Sequence, residues 1–128
     1  MARILVVEDS PDNRDLLLFI CQRAGHATLV SVDGAAGVAL ARQELPDAIV
    51  MDLMMPTLDG WEAVRQLKAD ARTARIPVLV VTANAMREAE ERARAVGCDA
   101  FITKPFRVAA LLETLSSLLA RGAEIDGQ

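Results

Sequence analysis

The chain alternates between short apolar runs and longer segments in which apolar residues recur at helical spacing. Continuous apolar runs bounded by polar residues are typical of strands buried on both faces of a parallel sheet. The strands are predicted at about residues 3–8, 27–31, 48–51, 77–82 and 100–103. Each run is followed by a segment long enough to form a helix.

Capping residues locate several of the helix ends. Ser10 is a suitable N-cap for a first helix that starts at Pro11, and Gly25 ends it. Asp33 is expected to cap the second helix. The helices are predicted at about residues 11–24, 34–45, 61–69, 86–96 and 108–120. The final residues, Arg121–Gln128, are predicted to be frayed.

Strict alternation of strands and helices indicates an α/β fold, a (βα)5 doubly wound parallel sheet with helices on both faces and right-handed crossovers. The common order of five such strands is 2-1-3-4-5, and ligands bind at the carboxyl ends of strands 1 and 3, where the winding direction reverses. Residues 1–121 are expected to form one domain and residues 122–128 a short C-terminal tail.

Composition narrows the functional classes. The 128 residues are 52% hydrophobic and 25% charged, which is ordinary for a soluble globular domain. The net charge is −4, and a negatively charged domain is repelled by the phosphates of nucleic acid, so direct binding to nucleic acid is not expected. No apolar stretch is long enough for a membrane span, and the chain enters a strand too early for a signal peptide. Cys21 and Cys98 form no disulfide or metal-binding pattern, which fits a reducing cytoplasmic setting.

Chemically active side chains stand at the carboxyl ends of four of the five predicted strands. Glu8 and Asp9 stand at the end of the first strand, Asp52 at the end of the third, Thr82 at the end of the fourth and Lys104 at the end of the fifth. Parallel strands bring these positions to one edge of the sheet. Three carboxylates crowded together raise each other's pKa, and a hard cation such as Mg2+ relieves the repulsion. The ammonium and hydroxyl groups suit the oxygens of a transferring phosphoryl group, with Asp52 as the nucleophile.

Five elements in this order closely resemble the receiver domain of two-component response regulators. They are Glu8-Asp9, Asp52, Met55-Pro56 with Asp59-Gly60, Thr82-Ala83 and Lys104-Pro105. The resemblance covers about residues 2–120 and implies a flavodoxin-like receiver fold. It also implies that Asp52 accepts a phosphoryl group from a phosphohistidine on a histidine kinase or a histidine phosphotransfer protein.

The resemblance implies a magnesium cofactor and its ligands. Asp9 and Asp52 would bind Mg2+ directly, together with the backbone carbonyl of Met54. Glu8 would act through a metal-bound water. Lys104 and Thr82 would contact the phosphoryl oxygens.

The same resemblance assigns a switch. Thr82 would move toward the phosphate and Phe101 would turn inward, which remodels the face made by helix 4, strand 5 and helix 5. The bond before Pro105 is expected to be cis. Met54 and Asn84 occupy positions that, in similar proteins, tune how fast the phosphoryl group is lost. A methionine cannot orient an attacking water, so we expect Met54 to prolong the phosphorylated state.

Output is expected through protein–protein contact, because the chain has no effector domain of its own. It would act as a diffusible regulator or a phosphorelay intermediate, either monomeric or dimerising on phosphorylation, with no nucleic-acid or membrane partner. It would catalyse only its own phosphorylation and dephosphorylation. An alternative is a receiver module excised from a hybrid histidine kinase or a longer regulator, although the initial Met1 favours a complete protein.

Two functions of a different class remain open on the sequence. An Mg2+-dependent aspartyl phosphatase commonly has a second aspartate two residues after the nucleophile, where this chain has Met54. An FMN carrier of similar fold needs a hydroxyl- and glycine-rich phosphate loop after the first strand. The acidic segment from Glu8 to Asp12 would repel phosphate in the absence of a metal.

Overall fold

Five parallel strands and five helices alternate along the chain in the computed structural model, which describes residues 2–55 and 58–126. The strands are β1 (Arg3–Val7), β2 (Ala27–Ser31), β3 (Ala48–Met51), β4 (Val78–Thr82) and β5 (Ala100–Thr103). The helices are α1 (Pro11–Arg23), α2 (Gly34–Glu44), α3 (Gly60–Ala69), α4 (Arg87–Ala95) and α5 (Val108–Asp126). The strand order is β2-β1-β3-β4-β5, which confirms the predicted doubly wound sheet.

The sheet separates two apolar cores. Because successive strand residues point to opposite faces, Ile4 and Val6 of β1 pack with α1 and α5, whereas Leu5 and Val7 pack with α2, α3 and α4. All four side chains are fully buried. Both faces of the central strands are therefore covered, as their continuous apolar sequences predict.

The first helix starts where expected, but its cap differs from the prediction. Ser10 occupies the N-cap position, yet its side chain makes no capping hydrogen bond. Its backbone is engaged instead: the Ser10 carbonyl accepts from the Arg14 N–H at 2.8 Å, and its own N–H donates to Glu8 at 3.3 Å. Asp33 behaves as predicted, since its carboxylate accepts from the Ala36 N–H at 2.8 Å.

The end of the chain is more helical than expected. α5 continues to Asp126, past its predicted end near residue 120, while the fraying predicted from Arg121 stays a prediction. The alanine, arginine and glutamate residues of this segment favour helix, and a single glycine, Gly122, costs too little to end it. Gly127 and Gln128 lie outside the described residues, and the division of the chain at residue 121 stays a prediction.

The described residues between β3 and α3, 52–55 and 58–59, are in neither helix nor strand, as predicted for this connection. Pro56 and Thr57 lie outside the described residues. α3 begins at Gly60, one residue before the predicted start, and the Asp59 carboxylate caps it by accepting from the Glu62 N–H at 2.9 Å. Across the described parts of the chain, every helix is too short or too polar to cross a bilayer.

Candidate functional site

The acidic residues after β1 and β3 meet at one edge of the sheet. Val7 is the register partner of Met51, and the Asp52 N–H donates to the Val7 carbonyl at 3.1 Å. The residues that follow these strands are therefore neighbours. One carboxylate oxygen from each of Glu8, Asp9 and Asp52 lies within 4.8 Å of the other two. The predicted juxtaposition is present in the structure.

The three carboxylates differ in their exposure to solvent. Glu8 is fully buried and Asp52 is 8% exposed, whereas Asp9 is exposed. A backbone amide holds each buried carboxylate: the Met54 N–H donates to Asp52 Oδ1 at 3.1 Å, and the Ser10 N–H donates to Glu8 Oε2 at 3.3 Å. Asp9 thus forms the solvent-facing side of a cluster whose other members are fixed.

Lys104 brings a positive charge into the cluster from the end of β5. Its Nζ donates to Glu8 Oε1 at 2.8 Å and to Asp52 Oδ2 at 3.3 Å. Burial raises the pKa of Glu8, and the negative charge of Asp52 adds to this, although the hydrogen bond from Lys104 opposes it. Burial alone would lower the pKa of Lys104, but the hydrogen bonds and charges of Glu8 and Asp52 outweigh it and raise that pKa.

Thr82 and Asn84 lie at the end of β4. Thr82 is fully buried, and its hydroxyl oxygen accepts from the Asn84 N–H at 3.2 Å. Its carbonyl accepts from the Lys104 N–H at 2.8 Å, which joins the ends of β4 and β5. Asn84 Oδ1 in turn accepts from the Met86 N–H at 3.1 Å. The predicted hydroxyl is therefore located at the end of β4, the strand next to β3, just before the turn that leads to α4.

The remaining predicted positions surround this edge. Phe101 is partly buried against the core under α2, α3 and α4. The Lys104–Pro105 peptide bond is cis, as expected. Met54 is 56% exposed, so its side chain faces solvent while its amide holds Asp52.

Two further residues support the site: Arg14, which was not among the candidates, and Gly60, which was named only as part of a loop motif. Arg14 Nη1 donates to the backbone carbonyls of Glu8 at 3.3 Å and Asp9 at 3.5 Å, which fixes the acidic loop. A Cβ at Gly60 would lie 2.4 Å from the Asp52 carbonyl oxygen, so only glycine allows α3 to start there. The sequence signalled Gly60, because it is a glycine after an irregular loop. It gave no signal for Arg14 beyond the position of that residue in the first turn of α1.

The donor set suits a hard divalent cation. Mg2+ prefers oxygen ligands and is commonly held by one or two carboxylates together with water and a phosphate. The cluster offers three carboxylates, one of them open to solvent, beside a single ammonium that offsets only part of their charge. The acidic cluster therefore fits a phosphorylation site that works with Mg2+.

Relatives of known identity cover nearly the whole chain. Protein PilH of Pseudomonas aeruginosa is 42% identical over 120 residues, which span 94% of this chain and 99% of PilH. The polar-differentiation response regulator DivK of Brucella anthropi is 39% identical over 116 residues, which span 91% of this chain and 94% of DivK.

A solved receiver domain has a similar fold. The receiver domain of the sensor histidine kinase PA1611 from Pseudomonas aeruginosa, solved with a magnesium ion coordinated in its active-site cleft, superposes with a TM-score of 0.87. It is 32% identical, and the match covers 93% of this chain and 98% of that domain. The family model of the response regulator receiver domain matches residues 4–116. The chain therefore belongs to the response regulator receiver domain family.

Proposed function

We propose that Asp52 is the phosphoacceptor of this receiver and that Asp9 and Asp52 bind Mg2+ directly. The Met54 carbonyl would complete the protein ligands, with Glu8 acting through a metal-bound water. The observation that carries the proposal is the group of three carboxylate oxygens within 4.8 Å of one another, beside an ammonium 3.3 Å from Asp52. Mg2+, when bound, supplies charge neutralisation for the phosphoryl oxygens.

The proposed reaction is a transfer from a phosphohistidine. A carboxylate oxygen of Asp52 attacks phosphorus, the new O–P bond forms, and the P–N bond to the donor imidazole breaks with its electron pair returning to nitrogen. Lys104 and Thr82 contact the phosphoryl oxygens and stabilise their charge. The chain is not a classical enzyme, and its part in its own phosphorylation and dephosphorylation belongs to this proposal.

Thr82 and Phe101 form the proposed switch. Thr82 stands at the start of the turn to α4, and Phe101 lies on the neighbouring strand, in register with Val80. Movement of the hydroxyl toward the phosphoryl group would leave space for the aromatic ring and alter the face of α4, β5 and α5. A downstream protein would read that face, while a histidine kinase or histidine phosphotransfer protein would supply the phosphoryl group.

Met54 and Asn84 are proposed to set the lifetime of the phosphorylated state. The exposed Met54 side chain offers no hydrogen bond to a hydrolytic water, so Met54→Asn should lose the phosphoryl group faster than the wild type. Decay of the phosphorylated protein, followed by intact mass, measures this. An unchanged or slower decay in the variant would contradict the assignment.

A cytoplasmic location and a phosphorylation-promoted dimer also stay predictions.

Incubation with acetyl phosphate and Mg2+ tests the central proposal. Intact mass should increase by one phosphoryl group, and Asp52→Ala should abolish the gain. Asp15→Asn, an exposed carboxylate on α1, is the matched control and should be phosphorylated like the wild type. A wild-type protein without the gain, or an Asp52→Ala protein that retains it, would contradict the proposal.

The phosphatase and the FMN carrier are not favoured by the relatives. A turnover assay on small phosphate esters separates the phosphatase from the receiver, and we expect no turnover. Purified protein without flavin absorbance is the expected result for a receiver, and bound FMN would support the carrier instead.

A further inference from the structure

Trp61 joins α3 to α4. It is the only tryptophan in the chain and the second residue of α3. Its indole Nε1–H donates to the backbone carbonyl of Ala89 at 3.4 Å. The Arg92 guanidinium carbon lies 4.4 Å from the centre of the ring, which is a cation–π arrangement. One side chain of α3 thus makes two different contacts with successive turns of α4.

α4 has few other attachments to the body of the protein. Its buried residues are two alanines, Ala89 and Ala93, which supply little apolar surface. Its N-cap residue, Met86, makes no capping hydrogen bond through its side chain. Contacts made by Trp61 are therefore a large part of what fixes its position.

The salt bridges of α4 do not add to that attachment. Arg87 pairs with Glu91 and Arg94 with Glu90, both at 3.0 Å and both within the helix itself. Pairs of this kind stabilise the helical conformation, but they do not attach the helix to the rest of the protein.

The other end of the connection lies at the phosphoacceptor. The Gly60 N–H donates to the Leu53 carbonyl at 2.9 Å, and the Gly60 backbone packs so closely that a Cβ there would lie 2.5 Å from the Leu53 Cα. Trp61 is the next residue. Backbone that directly follows Asp52 is thus in tight contact with the start of α3, and the start of α3 carries the side chain that holds α4.

We infer that Trp61 is a positioning residue that couples the backbone after Asp52 to α4. The inference rests on the proposed phosphorylation of Asp52 and adds a connection that runs from β3 through α3. This connection is separate from the Thr82 and Phe101 elements on β4 and β5. A shift of the segment after Asp52 moves the α3 start, and Trp61 transmits the shift to α4.

Hydrogen exchange of the α4 amides, measured by mass spectrometry with and without acetyl phosphate and Mg2+, tests the inference. In Trp61→Leu, α4 amides should exchange about tenfold faster before phosphorylation, because one hydrogen bond and one cation–π contact are lost. The phosphorylation-dependent difference in α4 exchange should largely disappear, while phosphoryl incorporation stays at the wild-type level. Trp61→Phe keeps an aromatic ring under Arg92 and should restore part of the difference.

Leu40→Ala on α2 is the matched control. Leu40 packs against the same core as Trp61 and is also partly buried, so its truncation tests whether any loosening of that core has the same effect. The control should retain the wild-type response of α4. A Trp61→Leu protein whose α4 responds like the wild type, or a control that loses the response equally, would overturn the inference.

Failure of the proposed function gives a different result. A wild-type protein that gains no phosphoryl group by intact mass would overturn the proposed phosphorylation. The α4 exchange rates of the unphosphorylated variants would still decide whether Trp61 holds that helix, and equal rates in wild type and Trp61→Leu would overturn that as well.

Discussion

The Lys104 ammonium lies 2.8 Å from the buried carboxylate of Glu8, closer than its 3.3 Å distance to Asp52. The lysine side chain is 15% exposed and that of Glu8 is 1% exposed, so this pair is shielded from solvent. The Lys104 ammonium thus already neutralises part of the negative charge that would attract a metal ion. Lys104 and Mg2+ are expected to oppose each other electrostatically in the absence of a phosphoryl group.

Replacement of Lys104 should therefore strengthen metal binding. Lys104→Met removes one positive charge from the cluster, and we expect Mg2+ to bind about tenfold more tightly. Isothermal titration calorimetry at fixed ionic strength measures the change. Lys104→Arg keeps the charge and is the control, with an affinity near that of the wild type. Equal or weaker binding by Lys104→Met would contradict this view of the cluster.

The sequence allowed prediction of the sheet and of which residues meet at its edge. Parallel strands with short connections place the residues after Val7 and Met51 side by side, so Glu8, Asp9 and Asp52 had to be neighbours. This holds whatever the side-chain torsions are. Backbone topology alone therefore predicts where this acidic cluster lies.

Contacts that depend on side-chain torsions and loop paths were not predictable. Nothing in the spacing indicates that Lys104 bonds Glu8 more closely than Asp52, or that Trp61 reaches the Ala89 carbonyl. The close approach of Gly60 to the Asp52 carbonyl depends on the path of the loop between β3 and α3. Such details follow from tertiary packing, which local pattern does not encode.

Gly60 should not tolerate a side chain. A Cβ there would lie 2.4 Å from the Asp52 carbonyl oxygen and 2.5 Å from the Leu53 Cα, and backbone atoms cannot swing aside as the end of a flexible side chain can. We expect Gly60→Ala to lower the free energy of unfolding by about 2 to 3 kcal/mol. Urea denaturation followed by circular dichroism measures this.

Gly122→Ala is the matched control for Gly60→Ala. Gly122 lies within α5, and a Cβ there would meet only Pro77 Cδ, at an ordinary 4.0 Å. Alanine favours helix over glycine, so this variant should be more stable by about 0.5 to 1 kcal/mol. Destabilisation by both substitutions to a similar extent would argue against the close contact at Gly60.

Lys68 joins α3 to the residues just before β4 and β5, at the end of the sheet away from the site. Its Nζ donates to the carbonyls of Ala74 at 3.1 Å and Ile76 at 2.8 Å and to Asp99 Oδ2 at 2.9 Å. Lys68→Met keeps the apolar stem but removes the ammonium from all three acceptors, and Asp99 Oδ2 then accepts only from the Val78 N–H, at 2.8 Å. Because the lysine side chain is only 17% exposed, we expect a loss of about 2 to 3 kcal/mol in the free energy of unfolding.

Arg87→Met is the control for Lys68→Met. Arg87 also forms a salt bridge, with Glu91, but its side chain is 90% exposed. Exposed pairs contribute little to stability, so no measurable change is expected. Chemical denaturation of both variants in the same buffer decides the comparison. Similar denaturation midpoints for the two variants would show that the Lys68 contacts do not contribute to stability.

Cys21 should make the protein less stable at high pH. The thiol is fully buried, and burial raises its pKa from 9.0 to about 11 because the thiolate is poorly solvated there. Above pH 9 the unfolded chain releases this proton while the folded protein retains it, so rising pH favours unfolding until about pH 11. Free energies of unfolding measured across this interval should fall less steeply in Cys21→Ala than in the wild type, since other titrating groups are common to both. Parallel pH profiles of the two proteins would rule out a contribution from this thiol.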